Sequence, residues 1–193
     1  MFNKLANLPQ AQRWRGQQQP IPIVVAIVRE MAAAPRYLLI QRNGDTYHGQ
    51  WALVGGKWDF GETLPQAIVR EVREETNLDT EFVALRGIVS ERVLTPEAAV
   101  TPAQAAHFLL FVCDLAVVAG QAQQQQEGAV AWFAWEAIEQ LQAQQQIIPS
   151  DMAMLQQFAG VKTAVAHIEA EMISNIGQMQ IQVPQLVRFN ALL

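Results

Sequence analysis

The stretch "GKWDFGETLPQAIVREVREETNL", residues 56–78, decides the interpretation of this 193-residue chain. Its second part has the pattern of an amphipathic helix over residues 63–76. Thr63 and Gln66 have the spacing of a capping box, and Pro65 falls in the first turn, where its missing N–H costs nothing. On a helical wheel the apolar positions fall together on one face: Leu64, Ala67, Ile68 and Val72.

Three glutamates lie on or beside that apolar face. Glu71 and Glu75 fall inside the buried arc of the wheel, and Glu74 lies at its edge, whereas Arg70 points away. Like charges at these spacings repel. Partial burial adds to the free-energy cost of keeping the carboxylates ionised unless a cation compensates. One guanidinium does not neutralise three carboxylates, and clustered carboxylate oxygens suit Mg²⁺ or Mn²⁺. The helix therefore predicts a divalent-metal site, with a solvated charged surface as the alternative.

The whole stretch resembles the Nudix box, in which Gly, five residues, Glu and seven residues precede R-E-U-x-E-E-x-G-U, with U aliphatic. Gly56, Glu62 and "REVREETNL" (70–78) match every fixed position except one, where Asn77 replaces the usual Gly. That position follows the helix end and is expected to be left-handed, which Asn tolerates better than most residues. We expect a small cost in stability and no loss of chemistry.

The resemblance implies the fold and the reaction. It implies an α/β protein, a Nudix-type α/β/α sandwich with a central mixed sheet, in which divalent metal assists the attack of water on a diphosphate. Mg²⁺ or Mn²⁺ would be the cofactor, and a small nucleotide diphosphate would be the substrate. The implied metal ligands are Glu71, Glu74 and Glu75, and Glu62 would support the loop before the helix and contribute to the metal shell. The implied catalytic residues are Glu74, Arg70, which would orient the glutamates, and Glu127, a later glutamate serving as ligand or base.

Further assignments follow from positions around the box. Glu91 is a second candidate for the role of Glu127. Gly56 would let the backbone approach the phosphates. Arg42 and Lys57 are candidates for phosphate binding, with a solvated cation as the alternative for each. Trp58 is a candidate for stacking on a base, with core packing as the stronger alternative.

The flanking sequence predicts the remaining sheet and helices. Strands are predicted over residues 23–28, 37–42, 51–54, 80–94 and 107–118. A Pro- and Ala-rich loop is predicted over 95–104, a Gln-rich loop over 120–128, and a helix from Trp135 to about 146. A last helix is predicted from Ser150, an N-cap with Asp151 beside it, through about Ser174.

These elements suggest three parts of the chain. Residues 1–20 read as a loosely ordered N-terminal arm and residues 21–148 as the Nudix domain. Residues 149–193 read as a helical extension that packs on the domain or on a second subunit. The sequence leaves a homodimer open.

Composition excludes several classes of protein. The chain has 51% hydrophobic and 16% charged residues, as expected of a folded domain. A net charge of −5 and the lack of a basic stripe argue against binding a nucleic-acid polymer. The apolar runs are too short to span a bilayer, and no signal peptide is recognisable. With its single cysteine, Cys113, in an apolar run, the chain is expected to be a cytoplasmic protein.

The substrate is the most open part of the interpretation. ADP-ribose-type pyrophosphatases often carry a Pro at a set distance after the box, and Pro96, eighteen residues past Leu78, matches that position only imprecisely. The lead-in "GGKWDFGET" instead looks like that of members that hydrolyse nucleoside triphosphates, including oxidised ones. We favour ADP-ribose or a related nucleotide sugar over a triphosphate. A third hypothesis is a non-catalytic nucleotide sensor, although such domains usually lose box glutamates.

Overall fold

The computed structural model describes residues 19–30, 34–44, 47–94, 105–160, 162–165, 167–173 and 185–192. Nearly all of the predicted arm over 1–20, and the loop predicted over 95–104, lie outside these ranges. None of the helices within them is long and apolar enough to cross a bilayer.

The elements follow the order expected from the sequence as far as residue 158. The strands of the main sheet are β1 (Ile21–Arg29), β2 (Arg36–Arg42), β3 (Trp51–Ala52), β4 (Val54–Lys57), β5 (Asp79–Leu94), β6 (Ala105–Ala119) and β7 (Gly128–Ala134). The helices are α1 (Leu64–Thr76), α2 (Trp135–Ala143) and α3 (Pro149–Phe158). Two further strands, β8 (His167–Ile173) and β9 (Gln185–Leu192), pair only with each other in the described part of the chain.

The main sheet is mixed, as predicted. Its strands run in the order β3-β2-β1-β6-β5, with β4 paired to β1 and β7 paired to β2. The β1 and β6 strands are parallel, while the other pairs are antiparallel. The strand predicted over 51–54 is in fact divided at Leu53, because the chain leaves β2 after Ala52 and joins β1 at Val54.

Alternation along β1 divides the core into two layers. Val24, Ala26 and Val28 pack with the apolar face of α1 on one side of the sheet. Val25 and Ile27 pack on the other side with residues of α2 and α3. Because successive strand side chains point to opposite faces, one strand supports both layers. The α/β/α sandwich is confirmed.

Helix α1 forms as the wheel and the capping signals predict. Thr63 and Gln66 make a capping box, and Asn77 ends the helix in the left-handed region with φ of 60°. The Asn77 N–H donates to the carbonyl of Arg73 at 3.0 Å. The apolar face is fully buried: Leu64, Ala67, Ile68 and Val72.

The C-terminal helical extension is the main error of the sequence analysis. Helix α3 begins at Pro149, with Ile148 rather than Ser150 at the N-cap, and ends at Phe158. The segment predicted to continue the helix instead contains β8. Its sequence "HIEAEMI" combines helix-forming residue types with a period-two alternation of apolar and polar residues, and the alternation prevails.

A buried ion-pair cluster anchors the chain after α3. Asp114 on β6 accepts hydrogen bonds from Arg29 at 2.7 Å and Arg86 at 2.6 Å. The same two guanidinium groups donate to the carbonyls of Ala159 at 3.4 Å and Lys162 at 2.9 Å. Since Arg29, Arg86 and Asp114 belong to three adjacent strands, the cluster fixes the end of α3 against the sheet.

The left-handed end of α1 predicts opposite effects of two substitutions. Asn77→Gly should raise the free energy of unfolding by up to about 1 kcal/mol, because glycine adopts positive φ without a Cβ penalty. Asn77→Ala should lower it by about 1 kcal/mol. Urea denaturation measures both, and equal stability of the two variants would contradict the role of the left-handed cap.

Candidate active site

The candidate site begins at two glycines of β4. Gly55 has φ of 155°, and a Cβ there would overlap the carbonyl of Val24 on β1. A Cβ on Gly56 would overlap the carboxylate of Glu71 from α1. The absence of a side chain at Gly56 therefore makes room for a box glutamate, in addition to any role in phosphate approach.

Arg70 organises three of the box carboxylates. Its Nε and Nη2 donate to the two carboxylate oxygens of Glu62 at 2.7 and 3.0 Å. Its Nη1 donates to Glu71 at 2.8 Å and to Glu74 at 3.1 Å. A further bond to the carbonyl of Lys57, at 3.1 Å, ties the guanidinium to the end of β4. The wheel placed Arg70 away from the apolar face, but its long side chain folds back over the glutamates.

These contacts shift the ionisation of the cluster in opposite directions. Hydrogen bonding by Glu62 and Glu71 raises the pKa of Arg70, so the guanidinium remains charged. Arg70 in turn lowers the pKa of Glu62. Burial raises the pKa of Glu71, although Arg70 opposes the shift. Glu62 also accepts the N–H of Asp59 at 3.2 Å, and so supports the loop before α1.

Among the residues that the structure describes, no Lys or Arg forms an ion pair with Glu75, although the charge of Arg42 lowers its pKa from a distance. Burial raises the pKa of its carboxyl to about 8, with further contributions from Glu71 and Glu127, while the N–H of Gly55 opposes the shift. That N–H donates to Glu75 at 3.1 Å. A half-buried carboxylate with negative neighbours is destabilised in its charged form, and a cation would relieve this.

The donor set fits a divalent cation chemically. Within the described residues, however, no three Asp, Glu, His or Cys side chains already converge on a common metal position. Arg70 accounts for this, since it holds an oxygen of both Glu71 and Glu74. The residues that would hold the ion are Glu71, Glu74 and Glu75, while Arg70 engages both carboxylate oxygens of Glu62. These ligand assignments stay predictions.

A cleft of about 430 Å³ opens beside the glycines. Its described charged lining consists of two cations, Arg42 and Lys57, and three acids, Glu75, Glu91 and Asp151. Its apolar wall is formed by β1, β6 and α3 and includes Ile23, Val25, Phe108, Leu110 and Met154. This cleft can hold a ligand with one anionic and one flat, weakly polar part, provided that a cation joins the acidic end.

The two later glutamates occupy different places. Glu127 is exposed at the end of the loop before β7, close enough to Glu75 to raise its pKa. Its carbonyl accepts the N–H of Asn43 at 3.2 Å, which holds the loop beside the end of β2. Glu91 lines the cleft itself, and its charge adds to the effect of burial in raising the pKa values of Tyr47 and Asp151. The choice between Glu127 and Glu91 remains a prediction.

The proposed substrate-binding residues divide into two groups. Arg42 and Lys57 both line the cleft and are exposed, so they are placed where phosphates could reach them. Trp58 instead packs against the core on the α1 side, with its ring edge-on to Phe111 at 5.1 Å. Its indole N–H donates to the carbonyl of Glu62 at 2.9 Å. These contacts favour the packing alternative for Trp58.

Two residues of the cleft, Tyr47 and Asp151, were not expected there from the sequence. Tyr47 lines the cleft from a turn in which its φ is 59°. Asp151 was interpreted as part of a helix cap, but its carboxylate accepts the N–H of Leu53 at 2.7 Å. The two residues of that bond are far apart in the chain, and no local signal connects them.

Comparison of two arginines on α1 tests whether the carboxylate cluster depends on Arg70. Arg70→Gln should lower the free energy of unfolding by about 2 kcal/mol, because charged hydrogen bonds to partly buried glutamates are lost. The matched control Arg73→Gln removes an exposed ion pair with Asp79 and should cost less than about 1 kcal/mol. Denaturant unfolding without added metal measures both, and equal costs would contradict the prediction.

Comparisons with curated proteins find partial relatives. The chain is 34% identical over 86 residues to an ADP-ribose pyrophosphatase of Methanocaldococcus jannaschii, which covers 45% of this chain and 46% of that protein. It is 35% identical over 77 residues to a dihydroneopterin triphosphate diphosphatase of Escherichia coli, covering 40% of this chain and 49% of the relative. The chain thus matches less than half the length of each.

Solved structures share the fold over most of the chain. A NUDIX hydrolase from Nitrosomonas europaea superposes with a TM-score of 0.60 at 23% identity, covering 76% of this chain and 93% of that one. A UDP-X diphosphatase superposes with a TM-score of 0.52 at 25% identity, covering 72% and 62%.

A family model also matches the chain. The NUDIX domain model matches residues 20–158, which is well over half of the chain and includes every element from β1 to α3. The box that carried the resemblance lies inside this range, on the helix and glycines described above. The chain belongs to the NUDIX family.

Proposed function

We propose that the protein hydrolyses the diphosphate linkage of a nucleoside diphosphate joined to a second group. Water would be the nucleophile, and Mg²⁺ or Mn²⁺ would be held by the box glutamates. The observation that carries the proposal is the position of Glu75, half-buried beside Gly55 at the wall of the cleft, where no described Lys or Arg forms an ion pair with it. A structural role alone would not explain a carboxylate held in so unfavourable a place.

The cofactor and the phosphates would neutralise each other in this acidic cleft. A divalent cation, when bound, supplies positive charge to phosphate oxygens and lowers the pKa of bound water. The residues of the chain supply its position: Glu71 and Glu75 are held by the packing of α1 on β4, and Arg70 restrains Glu71 and Glu74.

Other residues would bind the substrate and move the proton. Arg42 and Lys57, at the rim of the cleft, would attract the phosphates. Glu127 is exposed, and its loop can move towards Glu75 more easily than a strand residue can. We therefore retain Glu127 as the first candidate for the base that accepts the proton of the attacking water, and Glu91 as the second.

The substrate we favour is ADP-ribose or a related nucleotide sugar. The similarity to the ADP-ribose pyrophosphatase of Methanocaldococcus jannaschii supports this choice, since its aligned segment of 86 residues is longer than that of the other curated relative described above, 77 residues. A nucleoside triphosphate is the second candidate, supported by 39% identity over 66 residues to the nucleoside triphosphatase NudI of an Enterobacter species.

A substrate panel tests the function. Purified protein with Mg²⁺ or Mn²⁺ would be given ADP-ribose, other nucleotide sugars, dinucleoside polyphosphates, coenzyme A, and normal and oxidised nucleoside triphosphates, and nucleotide and phosphate release would be measured. We expect one class to be cleaved, with a loss of about 100-fold or more in Glu74→Gln and Glu75→Gln. Glu139→Gln, which changes a surface carboxylate on α2, should keep full activity. Tight nucleotide binding without cleavage of any compound would identify a sensor instead.

Gly56 offers a test of the metal site that does not need a substrate. In Gly56→Ala the new methyl group must displace the Glu71 carboxylate, so we expect Mn²⁺ affinity to fall by about 10-fold or more. Gly160→Ala is the matched control, because a Cβ at Gly160 meets no atom within 4 Å. Titration of free Mn²⁺ by electron paramagnetic resonance measures both variants. Equal affinities would show that Glu71 does not bind the ion.

A further inference from the structure

The Gln-rich loop between β6 and β7, residues 120–127, is attached to the candidate site at two points. Near its middle, the N–H of Gln123 donates to the carbonyl of Thr76 at 2.9 Å, and Thr76 is the last residue of α1. At its end the loop meets Asn43, which directly follows β2. The loop therefore joins the end of the helix that carries the box glutamates to the end of strand β2.

Asn43 makes two hydrogen bonds to this loop. Its backbone N–H donates to the carbonyl of Glu127 at 3.2 Å, and its side-chain amide donates to the carbonyl of Gln126. These two carbonyls lie on either side of the Glu127 Cα along the chain, so they hold the peptide units before and after it. Because the orientation of two planar peptide units fixes φ and ψ between them, Asn43 sets the direction in which the Glu127 side chain leaves the backbone.

Asn43 is itself on a firm support. Its carbonyl oxygen and Nδ1 of His48 are 3.1 Å apart, which is hydrogen-bonding distance. Strand β7 begins at Gly128, which is paired with Arg42, and a Cβ at Gly128 would overlap the carbonyl of Gln41. The close approach of β7 to β2 thus fixes the chain immediately after the loop.

The Glu127 carboxylate lies within electrostatic range of the proposed metal site. Burial, and after it the charges of Glu71 and Glu127, raise the pKa of Glu75. The side chain of Glu127 is exposed, so water can reach it. An exposed side chain on a loop samples many directions unless the backbone that carries it is held. Asn43 supplies that restraint.

We propose that Asn43 is a positioning residue for Glu127, whose loop it holds so that the Glu127 carboxylate faces the attacking water. The inference rests on the proposed function, in which Glu127 is the first candidate for the base. In that step the water oxygen bonds to phosphorus, the bond from phosphorus to the bridging oxygen breaks, and the water proton passes to Glu127. A base must lie within hydrogen-bonding reach of the proton that it removes. Asn43 acts only through Glu127.

The variant Asn43→Ala removes the side-chain amide and keeps the backbone bond to Glu127. Since the amide is exposed, the melting temperature should change by less than about 2 °C. A looser loop presents Glu127 in the productive direction less often. With the best substrate of the panel and saturating Mg²⁺, we expect the single-turnover rate constant to fall by about 10-fold. KM should change by less than about 2-fold, because the contacts to the substrate are unaltered.

A double-mutant cycle shows whether Asn43 acts through Glu127. Glu127→Gln removes the base and should lower the same rate constant by about 100-fold. Adding Asn43→Ala to Glu127→Gln should cause no further loss, so that the double variant remains about 100-fold and not about 1,000-fold below the wild-type protein. Adding Asn43→Ala to Glu91→Gln should still cost about 10-fold.

Gln50→Ala is the matched control. The side-chain amide of Gln50, in the same connection between β2 and β3, donates to the carbonyl of Gln145 at 3.2 Å. Its removal loosens a different segment of the chain, so the single-turnover rate constant should stay within about 2-fold of the wild-type value.

The outcomes separate this inference from the proposed function. An unchanged rate in Asn43→Ala or in Glu127→Gln would overturn the positioning role and leave the hydrolase intact. Losses that multiply in the double variant with Glu127→Gln, or that disappear in the double variant with Glu91→Gln, would do the same. If the wild-type protein cleaves no compound of the panel, the proposed function fails, and the role of Asn43 fails with it.

Discussion

The packing of α1 across the glycines of β4 is the constraint on which the site depends. The fully buried face of α1 holds the helix against the sheet, and the box carboxylates must follow it. Gly56 leaves the space into which Glu71 fits, and the N–H of Gly55 receives Glu75. The hydrophobic effect thus supplies the free energy that keeps two carboxylates partly out of water, where neither would stay on its own.

Arg70 divides the glutamates into two kinds. Glu62, Glu71 and Glu74 share its guanidinium, which reduces their repulsion and holds the loop before α1. Glu75 receives only a backbone N–H, and its pKa is raised by burial. The cluster is therefore compensated enough to fold, but Glu75 at the cleft is only partly compensated, by the Gly55 N–H and the distant charge of Arg42.

The other end of the cleft depends on a separate set of contacts. Asp114 and its two arginines fix the chain after α3, and Asp151 bonds to Leu53 at the beginning of the helix. Helix α3 is thereby held at both ends against the sheet. Leu53 lies where the chain passes from β2 to β1, so its N–H is not engaged by either neighbouring strand and is available to a side chain. The break in the strand therefore leaves the Leu53 N–H available for the hydrogen bond to Asp151.

The sequence by itself determined the elements whose signals are local. The capping box, the apolar stripe of α1 and the tolerance of Asn77 for positive φ all arise within one helix, and the structure contains each of them. The strands with long apolar or alternating runs were likewise predictable, and so was the mixed sheet. Glu71 and Glu75 were candidate metal ligands from the sequence because their charge conflicts with their wheel positions on the apolar face of the helix.

Tertiary structure decided what depends on contacts between distant segments. The folding of Arg70 over three carboxylates needs the loop that carries Glu62. The hydrogen bond from Leu53 to Asp151 joins residues that are 98 positions apart in the chain. For Trp58 the sequence left base stacking and core packing open, and the edge-on contact with Phe111 favours packing. Contacts between distant segments also decide the conformation of β8, whose residue types favour a helix while its alternation suits a strand paired with β9. Local propensity differs by tenths of a kcal/mol per residue, roughly, so long-range pairing and burial decide such cases.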